Sequence, residues 1–312
     1  MIVKKIFNPL SVARYMRVEL IASTILSAAV FFLYHNRHLE KVSLPFSIAA
    51  ILGSALAIFL AFRNNNSYSR WWEARTVWGG IVNSSRVLAR LIITFADSHS
   101  HQPQYVKERS EAFKKEMVYL LIAWGHALRL HLRRQDDWEA LRPLLSEAAF
   151  RSVAASQNKP NALQLLTGRR IYEAMVDGTL GGFDSFQMEG QLLALANYQG
   201  ACERIKNTPL LRQYHFFTKL FLIVFMALLP FSLIADFSKM GAPALMIPVS
   251  ILVSFVFGVM GKVGEVNEDP FENRITDVPL TALCNTIERD LREMLGETDL
   301  PDKLEPKEGF IF

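Results

Sequence analysis

The sequence predicts an all-α integral membrane protein with four transmembrane helices per subunit and a helical cytosolic domain. Three observations predict it. Of the 312 residues 51% are apolar and 21% charged, and the apolar ones gather into blocks separated by charged stretches, which is a membrane pattern. Four runs, 20–34, 42–62, 220–235 and 240–261, contain no Asp, Glu, Lys or Arg. No segment alternates polar with apolar residues as a half-buried strand would, and no internal repeat is present.

The runs of 21 and 22 residues, 42–62 and 240–261, reach the length at which an α-helix crosses hydrocarbon. The runs of 15 and 16 residues are short. Each gains a turn if Arg17, Glu19 or Lys219 sends its polar end to the interface; the plain alternative is a buried core helix. Orientation follows from Lys and Arg. Four precede the first run (Lys4, Lys5, Arg14, Arg17), two separate runs one and two, 21 separate runs two and three, one separates runs three and four, and six follow. This count puts the N-terminus, the long middle segment and the C-terminus on the cytoplasmic side of a multi-pass protein. After the first run, His35, Asn36, Arg37 and His38 offer no small-x-small cleavage site, so this run is read as a retained anchor. Cys202 and Cys284 fall on the cytoplasmic side and are read as packing residues. A net charge of +4, without basic residues interleaved with aromatics, gives no sign of nucleic-acid binding.

Four segments result: 1–63 with transmembrane helices one and two, 64–215 as a cytosolic helical domain, 216–262 with helices three and four, and 263–312 as a C-terminal cytosolic helix and tail. Beyond the second run, residues 64–95 contain no proline, and Trp71, Trp78, Ile81, Leu88 and Leu91 recur at helical spacing, so the membrane helix is expected to lead into long helices. Residues 97–103 break the pattern. Residues 106–134 place Phe113, Met117, Leu120, Leu121, Trp124 and Leu128 on one face with charge opposite, an amphipathic helix. Further helices are expected at 138–156, 161–176 and 183–206. A last one starts after Pro279, with Leu280, Cys284, Ile287 and Leu291 on one face and Gly296 past its end. The polar tail from Glu297 is expected to be ordered only where it lies on a neighbour.

The second run carries two stripes at a spacing of four. Gly53, Ala57 and Ala61 make a small face that another helix can approach closely, and Ser54, Ile58 and Phe62 lie beside it. Were several copies of this helix to surround an axis, the small face would pack on a neighbour. Rings of Ile58 and Phe62 would then form an apolar constriction of the kind that gates by dewetting. Periodicity alone equally permits lipid-facing or core packing. Just past the run, Asn64, Asn65, Asn66, Ser67, Tyr68 and Ser69 place amides, hydroxyls and a phenol where the helix leaves the hydrocarbon, suited to a wet vestibule.

These polar residues lead into Arg70, Trp71, Trp72 and Glu73 and then Trp78-Gly-Gly-Ile-Val-Asn-Ser-Ser-Arg86. The stretch resembles the bestrophin channel family, whose hallmark is an Arg-Trp-Trp-(Glu) element after the pore helix. Cys202-Glu-Arg204, Thr208-Pro209, Asp269-Pro-Phe271 and Asp277-Val-Pro279 continue the resemblance in order, and the prokaryotic branch is the nearer one. The resemblance implies a homopentamer in the cell inner membrane, in contact with lipid, with one central pore through which monovalent ions pass passively. It puts a hydrophobic neck on Ser54, Ile58 and Phe62, and a single-ring cytosolic aperture on Phe183 or, failing that, Leu180. Ser54 departs from the apolar residue usual at the first ring, so that end is expected to wet more easily. Prokaryotic members of the family suggest cations such as Na+; an anion (chloride) channel of the same fold is the alternative, with a membrane carrier or scaffold behind it.

Animal relatives hold calcium in an acidic loop after the fourth span. Here 269–277 lacks the dense acidic run, too few carboxylates remain for six to eight oxygens, and no calcium gating is expected. Glu265, Asp269 and Glu272 are read as solvated or paired. No Gly-x-Ser-x-Gly, Walker-type loop, His-Glu-x-x-His or Cys-x-x-Cys is present. The pairs His35/His38 and His99/His101 are read as surface histidines, and Asp136, Asp137 and Glu139 as a solvated helix start. Neither an enzyme, a cofactor nor a metal is expected.

Overall fold

The structure is a computed structural model that describes residues 1–4, 14–35, 37, 39–103 and 105–312. Lys5, Asn36 and His38 therefore lie outside the described residues. The helices are α1 Arg17–His35, α2 Phe46–Phe95, α3 Lys107–Arg133, α4 Glu147–Ala154, α5 Lys159–Val176, α6 Gly182–Asn207, α7 Arg212–Lys239, α8 Met246–Asn267 and α9 Leu280–Met294. Among the described residues no strand forms; only isolated bridges occur, Ile2 and Lys307 each with Phe310.

The second apolar run does not lead into further helices: from Phe46 on it is the first third of one. α2 is 50 residues long and unbroken, about 75 Å at 1.5 Å per residue. It starts behind Pro45, which cannot donate within a helix, and it runs until the polar turns that follow Phe95. The chain forms two compact units, and α2 contributes to both: residues 4–71 with 209–269, and residues 1–3 with 72–208 and 270–312.

The first unit holds α1, the first half of α2, α7 and α8, and four of its helical segments are long and apolar enough to cross a membrane. Its core joins Val30, Leu56, Leu60, Phe225, Leu229, Ile234 and Met246, with the Phe225 and Phe257 rings 4.8 Å apart. α8 packs through small residues, Ser250, Ser254, Gly258, Gly261 and Gly264, all buried, as close helix contact in lipid requires. Ser23 Oγ donates to Ser254 Oγ at 3.1 Å, so two hydroxyls inside the bundle satisfy each other. The prolines do not split these helices: α7 passes through Pro230, Pro243 opens a short 3-10 turn, and Pro248 sits in the first turn of α8, where its missing N–H has no helical acceptor to lose.

The second unit is built around α3. The six apolar residues that define its expected face are all buried, but so are Val118, Ile122, Ala123, Ala127, Leu130 and Leu132. α3 is thus amphipathic up to Met117, as expected, and enclosed nearly all round beyond it. Its buried Lys114 is neutralised by Asp97 and by Glu111, the latter at 2.9 Å. The helix expected over 138–156 is two elements. Pro143 confines Trp138–Leu144 to a 3-10 helix, and Ser146 then caps α4 by accepting from the Ala149 N–H at 3.3 Å. Asn158 caps α5 in the same way at 3.1 Å. In α9 the four expected face residues are all buried, and Gly296 beyond its end has φ +80°, a value that favours glycine. The tail finds its neighbour in the same chain. Arg292 and Arg289 donate to the Asp299 and Pro301 carbonyls, and Ala282 N–H donates to the Phe312 carbonyl. Residues 1–3 pair with 309–311, Val3 N–H donating to Gly309 at 2.9 Å.

Candidate functional site

A helix turns about 100° per residue, so a spacing of four advances each residue about 40° around the axis. The two stripes of α2 separate accordingly. Gly53 is buried, and a Cβ there would lie 3.0 Å from the Phe225 ring; Ala57 is half-buried and Ala61 exposed. The small residues therefore do not share one packed face. The face that packs inside the unit is Ala49, Gly53, Leu56, Leu60, Arg63 and Ser67.

The opposite face is exposed from end to end: Ser54, Ile58, Phe62, Asn65, Asn66, Ser69, Glu73 and Thr76. Ile58 and Phe62 are 58% and 62% exposed. Ser54 Oγ donates to the Ala50 carbonyl at 2.8 Å, so its proton is tied to its own helix and its lone pairs are what it offers outward.

Directly below, polar residues serve two purposes. Arg63 is 6% exposed, its Nη2 donating to Glu268 Oε2 at 3.3 Å and lying 2.5 Å from His215 Nδ1. Asn64 turns the same way, its Nδ2 donating to the Met260 carbonyl at 3.0 Å, and Gly264 has no Cβ because Asn64 Oδ1 would lie 2.3 Å from it. Of the three amides, then, Asn65 and Asn66 are exposed and Asn64 fastens α2 to α8. Tyr68 and Trp71 stack with centroids 6.5 Å apart; Arg70 and Trp71 are half-buried and Trp72 exposed. Glu73 pairs with Arg204 at 2.5 Å, which joins two of the motifs on the same unit. Gly80 is required by a close approach: a Cβ there would meet Tyr198 Cζ at 2.5 Å.

Of the two aperture candidates, Leu180 is 2% exposed and packed into its unit, while Phe183 is 70% exposed in the first turn of α6. Phe183 is held by its neighbour. Asp184 is buried and accepts from Gly181 N–H at 2.9 Å and from Ser98 Oγ at 3.0 Å, with His99 Nε2 also at 3.0 Å. His99 is thus part of a clasp and not a plain surface histidine. Asp184 escaped the sequence reading; an acid three residues past Gly181 at a helix start was the signal available.

Of the three carboxylates Glu265, Asp269 and Glu272 after the fourth span, two are paired. Glu265 pairs with Lys262 at 3.1 Å and Glu272 with Lys206 at 2.6 Å. Asp277 is buried, which pushes its carboxyl above the usual range, and it accepts from Arg274 N–H at 3.0 Å. Among the described residues no three His, Cys, Asp or Glu gather as a metal site would need. Both cysteines are free and buried; burial pushes the Cys202 thiol up and the Cys284 thiol to about 12, and Cys284 Sγ donates to the Gly125 carbonyl at 3.3 Å. They pack.

These features define a multi-span α-helical membrane protein whose longest helix carries an outward-facing stripe that is uncharged from Ser54 to Ser69. The family model described as Bacterial/Fungal Bestrophin protein matches residues 6–293, and the chain belongs to the bestrophin family, a family of ion channels. It is 33% identical over 295 residues to the voltage-dependent anion channel-forming protein YneE of Salmonella typhi, covering 94% of this chain and 90% of that one. It is 34% identical over 260 residues to the voltage-dependent anion channel-forming protein RSc3414 of Ralstonia nicotianae, covering 83% and 79%. A crystal structure of a bacterial bestrophin homologue from Klebsiella pneumoniae superposes with a TM-score of 0.80 at 31% identity, over 90% of this chain and 99% of that one.

Proposed function

We propose that the chain is the subunit of a homopentameric channel of the bacterial inner membrane through which small monovalent ions pass down their gradients. Ser54, Ile58 and Phe62 form its neck and Phe183 its cytosolic aperture. The observation that carries this reading is the exposed stripe of α2: it is uncharged at membrane depth, and it turns polar at Asn65 and Asn66, where α2 leaves the apolar run. An apolar ring admits an ion only when water fills it, so such a neck conducts by wetting and closes by drying. Ser54, with lone pairs outward, lowers that barrier at one end and leaves Ile58 and Phe62 as its main part.

For the permeant ion we adopt anions such as chloride. The relatives' names speak for anions, against the sodium that the resemblance suggested. Both termini are read as cytoplasmic, supported by the excess of Lys and Arg at the N-terminus and in the middle segment and by the pairing of residues 1–3 with 309–311. The boundaries 64–215 and 263–312 for the cytosolic parts rest on the same charge count.

Purified protein in a planar bilayer tests the reading. Single-channel steps are expected, larger or longer-lived in Ile58→Ala and Phe62→Ala, with a reversal potential in asymmetric NaCl on the chloride side. No current under any ionic gradient would overturn the channel, and a reversal potential on the sodium side would overturn the anion.

A further inference from the structure

We propose that the membrane-spanning unit holds a phospholipid, its phosphate on Lys219 and one acyl chain in a cavity of about 370 Å³ lined by α1, α2, α7 and α8. The volume is that of a small-molecule pocket, in the range of about 300–1,000 Å³. One end is polar and the other apolar. Lys219 lies in the second turn of α7, and Lys262 and Glu265 lie near the end of α8; seven residues deeper along α7, about 10 Å, the wall is Met226, Ala227 and Leu26. Such a gradient along the ends of spanning helices matches the passage from headgroup to acyl chain.

Among the cations at the mouth all but one are committed, and the carboxylate of Glu19 lines the mouth as well, its charge acting on Lys262. Arg63 is held by Glu268 and His215, and Lys262 pairs with Glu265 at 3.1 Å. Lys219 is exposed and makes no ion pair among the described residues. A phosphate is the anion that a membrane supplies at this depth. The deep end does not suit water, which needs two to four polar partners. Ser23 is the hydroxyl lining it, and its proton is already given to Ser254.

Native mass spectrometry of the protein purified from vesicles of phosphatidylethanolamine and phosphatidylglycerol tests this independently of any current. About one phospholipid retained per chain is expected. Retention should fall several-fold in Lys219→Gln, survive in Lys219→Arg, and be lost in Ala227→Trp, which fills the apolar end. If Ala227→Trp does not fold, Ala22→Leu narrows the same space. Excess inorganic phosphate should leave the lipid in place. The proposal is overturned if no lipid is retained. It is equally overturned if the filled variants retain as much as the parent, or if free phosphate alone displaces the lipid.

Discussion

Glu288 shows how a single ionisable group holds the helical unit together. His126 Nε2 lies 2.9 Å from Glu288 Oε2, and Arg292 Nη1 lies 3.4 Å from Oε1. The contact with His126 draws its carboxyl below the ordinary 4.5, burial opposes, and Arg292 adds to the lowering. An acid whose pKa is lowered by folding stabilises the native state above its unfolded pKa, and that contribution disappears as pH falls through the folded value. Glu288→Gln keeps the shape and removes the charge. It should cost about 1.5–3 kcal/mol at neutral pH, the worth of a hydrogen bond to a charged group. In thermal melts, the gap between parent and variant should close as pH falls below 4.5. A gap that stays constant down to acid pH would show that the charge of Glu288 does not act.

At the scale of the element, α2 is where sequence and structure agree most and part most instructively. The exposed Ser54, Ile58 and Phe62 were legible because a four-residue spacing is a local property of one helix. The fate of Gly53, Ala57 and Ala61 was not, since it depends on where Phe225 of another helix lies. Asn64 read as a vestibule residue for the same reason; its partner, Met260, is about two hundred positions away. Phe183 stood ahead of Leu180 by resemblance alone, because a glycine-rich turn sets no period; in the fold Phe183 is exposed and Leu180 buried. Length was misjudged at α2 because Trp71 and Trp78 punctuate nothing, whereas Pro143 and Ser146 did divide 138–156. Ser54 has a consequence of its own. In the proposed neck Ser54→Leu would add a third apolar ring, so single-channel conductance or open probability should fall several-fold, with stability within about 0.5 kcal/mol because the position is exposed. Unchanged currents would remove Ser54 from the pathway.

For the whole molecule the decisive question is what covers the apolar residues outside the spanning helices. Leu165, Tyr172 and Val176 on α5, and Phe186 and Leu193 on α6, are all exposed, and neither helix is among the candidate spans. Lipid covers exposed apolar side chains on the spanning helices; it does not explain these five. Soluble surfaces rarely keep so many large apolar residues together unless a partner buries them. A second copy of the chain is the partner that the proposed pentamer would supply. The same face must then serve every copy in a closed ring, since a heterologous contact that fails to close would give filaments. Native mass in mild detergent should therefore be five times 35.4 kDa. Tyr172→Lys with Leu193→Lys, both exposed and so harmless to the fold of one chain, should shift the mass toward one copy and abolish the current. A parent that runs as a single chain would refute the pentamer. A double variant that stays fivefold would place the subunit contact elsewhere, on the spanning helices.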